Sequence, residues 1–166
     1  MLTQLNIMLE GLKKKASALA EVLSISENQQ TVIKSELPLE GVRQLIFDMN
    51  EEKQAAVKIV IECDNMFEIM LKDIGQELEA TQHLYKPQVK VMQEHIKQVM
   101  GLDVKIRVTE EENNRLLDER REKEETKSPE SIAPAPPPKP QAKSKIPTNS
   151  AQVIKAYQDG AKEYKG

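Results

Sequence analysis

Apolar residues at the start of the chain recur at spacings that a helix brings onto one face. Leu2, Leu5, Leu9, Leu12, Ala16, Leu19 and Leu23 are separated by 3, 4, 3, 4, 3 and 4 positions. Such a heptad stripe predicts a helix burying one narrow face against partner helices. Lys13, Lys14 and Lys15 are expected off the stripe, with Glu10 and Glu21 also outward. The helix is expected to reach about Lys34. Pro38 then marks a boundary, because proline disfavours helical geometry in the residue before it and suits the first turn of the next helix.

A second helix is expected from about Leu39 to Ile74. Its seam runs through Val42, Ile46, Met49, Ala56, Ile59 or Val60, Cys63, Phe67, Met70 and Ile74. Around Val57–Ile61 the apolar surface widens, which calls for cover from more than one side, by the first and third helices together or by a second subunit. Gly75 is placed to cap this helix, and Gln76–Lys86, bracketed by Gly75 and Pro87, reads as a turn region. A third helix is expected from about Pro87 to Arg121. Tyr85, Val89, Met92, Ile96 and Val99 keep heptad spacing, with Ile106 and Leu117 on the same track. Asp103, Glu110 and Asn113 also fall on that track, so the seam turns polar and the helix is expected to fray near Glu111–Glu125.

The pattern changes at Ser128–Ser144, which holds Pro129, Pro134, Pro136, Pro137, Pro138 and Pro140 among Ala, Ser and Lys. Proline removes backbone donors and blocks helix, so this stretch is expected to be an extended or disordered linker with much polyproline II character. Beyond Pro147, Val153, Tyr157, Ala161 and Tyr164 share one helical face. So short a segment is marginal alone in water. A tethered amphipathic segment of this kind suits folding on a partner. The expected organisation is therefore all-α. Residues 1–126 form an antiparallel long-helix hairpin or three-helix bundle with coiled-coil-like packing, 127–148 a proline-rich linker, and 149–166 a short C-terminal amphipathic helix.

Composition sharpens this picture. Among 166 residues, 3% are aromatic, none is tryptophan and 31% are charged, which suits long helices sharing a thin core rather than a wide globular one. A net charge of −3 with mixed signs offers no basic face, so nucleic acid is not an expected partner. No run approaches a membrane span, and no basic-then-apolar leader opens the chain. With a single cysteine, these features lead to the expectation of a cytoplasmic protein that does not insert in a membrane.

No catalytic, cofactor-binding or metal-ligating set stands out. Cys63 lies on the second seam beside Glu62 and Asp64, which oppose thiolate formation, so it reads as a core thiol. His83 and His95 lie on different predicted elements and supply too few ligands for zinc. The sequence contains no phosphate-binding glycine loop, nucleophile elbow or metalloprotease helix motif. The expectation is a non-enzyme without cofactors. Met66, Phe67 and Met70 are expected to form a soft apolar patch, faced by Met92 and Met100, of the adaptable kind that receives amphipathic helices. Tyr157 and Tyr164, two of only three tyrosines, are placed as anchors for recognition.

Several stretches together resemble flagellar export chaperones of the FlgN type in their divergent Gram-positive form. They are the Leu2–Leu23 stripe with its lysine run, Phe67-Glu68-Ile69-Met70, Ile96–Ile106, and the terminal Val153-Ile154-Lys155-Ala156-Tyr157. The resemblance implies a cytoplasmic chaperone that binds hook-associated, filament-junction proteins through helix–helix contacts, prevents their premature assembly and delivers them to the flagellar type III export apparatus. It also implies a C-terminal region involved in cargo binding, matching Val153, Tyr157, Ala161 and Tyr164. The proline-rich insertion departs from the family pattern. The alternative from the residues alone is a structural coiled-coil or adaptor protein, a homodimer through the broad face at Val57–Ile61.

Overall fold

The computed structural model describes residues 1–127. The linker and the C-terminal residues Val153, Tyr157, Ala161 and Tyr164 lie outside the described residues. Helix α1 spans Leu2–Lys34, α2 Leu39–Thr81 and α3 Lys86–Lys127, with a single 3-10 turn at Gln82–Leu84 between the last two. No strand occurs among the described residues. The 43 residues of α2 correspond to a rod about 65 Å long.

Side-chain contacts fix the directions of the rods. Lys15 pairs with Asp64, and Gln29 with Asn50, so α1 and α2 run antiparallel. Lys53 of α2 pairs with Glu110 of α3, and along α3 Met92 packs with Leu5 and Met8, Asn113 reaches Ser26 and Arg120 reaches Ile33, so α3 returns parallel to α1. Helix α1 packs against both of the others.

The core is layered along the rods. At one end Leu5, Met8 and Leu12 meet Phe67, Ile74 and Met92. In the middle Ala16, Ala18, Leu19 and Val22 meet Ala56, Val57, Val60, Val99 and Ile106. At the other end Ile33, Val42, Ile46 and Leu117 close the bundle. Each layer draws on all three helices. The broad Val57–Ile61 stretch is thus covered from within the chain: Val57 and Val60 are buried, and Ile59 and Ile61 are half-buried against the middle layer.

Several expectations are corrected. Leu2 is exposed, and the deepest line on α1 is Leu5, Met8, Leu12, Lys15, Leu19, Val22, Ser26, Gln29 and Ile33. Lys15 is therefore inside the bundle, held there by the Asp64 carboxylate. Gly75 does not end α2. It lies in regular helix with no positive φ, and the helix continues to Thr81 because Leu78 packs on the end layer.

Helix α3 does not come away from the bundle at Glu111. Glu110, Asn113 and Leu117 are buried, and Arg120 donates to the carbonyls of Ile33 (2.8 Å), Ser35 (3.1 Å) and Leu37. A guanidinium there satisfies carbonyls that the end of α1 and its following turn leave without helical partners. Glu110 and Asn113 on the α3 track thus strengthen the contact with α1, because each finds a partner at Ser26.

Candidate functional site

An open, mostly apolar groove of about 510 Å³ lies between the first half of α1 and the middle of α2. Ile7 and Met66 form its apolar sides, Gly11 and Cys63 its floor, and Glu10, Lys14 and Glu62 its charged edges. Gly11 is buried, and its bare backbone gives room to the terminal methyl of Met66, the flexible end of that side chain, which a Cβ there would meet. Glycine in a helix interior costs about 1 kcal/mol relative to alanine, so its presence in α1 is the sequence signal for the room that Met66 takes up. That signal, and Ile7 beside it, were not part of the expected site.

The predicted patch on α2 divides. Met66 lines the groove. Phe67 is buried in the end layer against α1 and α3, and Met70 is half-buried beside it. Met92 joins that layer, whereas Met100 faces solvent on α3. Only Met66 of the named triplet is therefore offered at the groove.

Burial pushes the Cys63 thiol above its ordinary value, and the Lys14 ammonium only partly opposes this. A thiol held protonated is a poor nucleophile, so Cys63 serves as a small apolar floor. Among the described residues no group of three or more His, Cys, Asp and Glu is placed to hold a metal ion. No helix among them is long and apolar enough to cross a membrane.

The strongest electrostatic feature lies inside the bundle. Lys53, 1% exposed, pairs with Glu110 and donates to Gln29 Oε1 at 2.5 Å. Ser26 donates to the same Glu110 carboxylate at 2.6 Å, Gln29 Nε2 to Asn50 Oδ1 at 2.7 Å, and Asn113 Nδ2 to the Ser26 carbonyl at 2.9 Å. This layer separates the middle and far apolar layers and ties all three helices. Burial holds the Lys53 ammonium below its ordinary pKa, with the Glu110 charge pulling the other way. Neither the groove between α1 and α2 nor the one around Arg120 is lined by Lys53 or Glu110. Compared with protein-family models, curated proteins and solved structures, the chain matches none.

Proposed function

We propose that this chain is an export chaperone of the FlgN type. In this reading it holds hook-associated, filament-junction proteins in the cytoplasm and passes them to the flagellar type III export apparatus. The observation that carries the reading is the open groove between α1 and α2. It has an apolar floor, charged edges and a pliable methionine wall, which suits the apolar face of an amphipathic helix. The sequence stretches that resemble such chaperones add to it. The coiled-coil-like bundle acts as the scaffold. Val153, Tyr157, Ala161 and Tyr164 supply a second contact at the end of the proline-rich tether. A cargo helix covered in both places keeps its own apolar face from assembling early.

Co-expression of the full chain with a hook-associated protein, followed by size-exclusion chromatography, tests the reading. A co-eluting complex is expected, and Met66→Lys should weaken it at least tenfold by placing a charge against the cargo's apolar face. Tyr157→Ala with Tyr164→Ala should weaken it as well. Absence of any complex with hook-associated proteins would remove the proposal.

A further inference from the structure

The far side of α3 carries a row of exposed residues that takes no part in the bundle. Its centre is apolar: Met100 is 51% exposed, Val104 51% and Val108 60%. To the N-terminal side the exposed row continues through Lys97, Gln93, Lys90 and Lys86, and to the C-terminal side through Glu111, Arg115, Asp118 and Glu122. The row is thus cationic at one end, apolar in the middle and predominantly acidic at the other.

We propose that this face of α3 pairs antiparallel with the same face of a second copy of the chain, about a two-fold axis at Val104. Residues equidistant from Val104 then meet across the axis. Val104 faces its own copy, and Met100 faces Val108, each four positions from the centre. Lys97 faces Glu111 at seven positions, Lys90 faces Asp118 at fourteen, and Lys86 faces Glu122 at eighteen. Arg115, the cation in the acidic half, falls opposite neutral Gln93 and is held within its own helix by Glu112 and Glu119. The offsets alternate between four and three, which is the spacing a helix needs to keep one face toward a partner.

Charge complementarity selects the occupant and the direction. A parallel copy would set lysine against lysine and acid against acid along the whole row, whereas the antiparallel copy matches every formal charge except Arg115. The row from Lys86 to Glu122 is about 54 Å long, enough for one continuous helix–helix contact. Its apolar content is only three side chains per copy, so the pairing is weak and salt-sensitive, at the small end of specific interfaces. None of the groove residues between α1 and α2 belongs to α3, so the association is independent of the proposed cargo site.

Sedimentation equilibrium on the full chain, at low salt and across the micromolar to millimolar range, reads the association directly. A monomer–dimer equilibrium is expected. Lys97→Glu alone or Glu111→Lys alone should weaken it at least tenfold, and the two together should restore it. All of these positions are exposed, and circular dichroism checks that each variant keeps its helices. Disulfide formation reads the register. Val104→Cys should give an oxidised dimer and the unaltered chain should not. Met100→Cys alone should give none, while Met100→Cys with Val108→Cys should. A chain monomeric at every concentration overturns the proposal. So does a dimer that ignores the charge exchange, or one that cross-links through Met100→Cys alone.

Discussion

Lys53 and Glu110 illustrate how a charged pair can be right inside a thin bundle and costly to disturb. Each side chain is enclosed, and the pair shares Gln29 and Ser26 as further partners. Removing one member leaves the other buried without its counter-charge. Lys53→Met is therefore expected to cost about 3–5 kcal/mol, and the double change Lys53→Met with Glu110→Leu to cost less than either single change. Denaturant unfolding of the three variants measures this, and additive losses would contradict it. The pair also has a pH signature. Burial lowers the folded pKa of Lys53 from the ordinary 10.5. Between the folded value and 10.5 the unfolded chain binds the extra proton, so stability from this group rises with pH across that window. Below the window this contribution no longer changes with pH. Wild-type chain should gain stability relative to Lys53→Met as alkaline pH is approached. Heptad spacing alone places Lys15 three residues after Leu12 and Lys53 three before Ala56, both on their seams. The sequence reading puts Lys15 outside, with its neighbours in the lysine run, and does not place Lys53, because a lysine is normally solvated. Their burial depends on Asp64 and Glu110, carboxylates on other helices, and no local pattern pairs residues so far apart in the chain.

At the scale of the element, the three helices, the Pro38 boundary, the end of α1 and the starts of α2 and α3 were legible from periodicity and proline chemistry, and the C-terminal ends of α2 and α3 were not. Gly75 looked like a cap because glycine usually serves that role. Tertiary packing of Leu78 overrode the local preference and carried α2 on to Thr81. Gly75 is thus an interior helical glycine, and a Cβ there meets nothing within 4 Å. Gly75→Ala should stabilise the chain by about 0.5–1 kcal/mol, visible as a raised unfolding midpoint. A loss of stability would mean that the glycine does serve a turn. The end of α3 was misjudged for a related reason. A run of acids and arginines reads as a solvated helix, yet Arg120 lies three residues after Leu117 on the same seam and bonds the carbonyls at the end of α1. Arg120→Ala should cost about 1–3 kcal/mol, the range for charge-assisted hydrogen bonds. The loss should appear as faster amide exchange in the last turn of α1 and the first of α2. Unchanged exchange there would show the bonds to be dispensable.

For the molecule as a whole, the order of layers matters more than any one contact. Apolar layers alone would let a three-helix bundle slide by a heptad or reverse a helix, because leucine and valine layers resemble one another. Two polar layers interrupt them at unequal positions: Lys15 with Asp64 between the first and middle apolar layers, and the Lys53–Glu110 layer between the middle and last. Only one register brings both cations to their carboxylates. A slide of seven residues would bury Lys15 against apolar side chains and strand Asp64. The layers are thus expected to supply specificity rather than net stability, since a well-packed apolar replacement of a buried ion pair is often neutral or stabilising. Replacing all four charges together, Lys15→Leu, Asp64→Leu, Lys53→Met and Glu110→Leu, should leave helix content and denaturant resistance as high as before or higher. The variant should lose its single native arrangement, with broadened and poorly dispersed amide resonances and mixed association states. A quadruple variant with one sharp set of resonances and the wild-type oligomeric state would assign register to the apolar packing instead. The groove between α1 and α2 gives the experiment a second reading. Residues of both helices line it, Gly11 from α1 and Met66 from α2 among them, so a bundle of mixed registers should lose binding at that groove even while it stays helical.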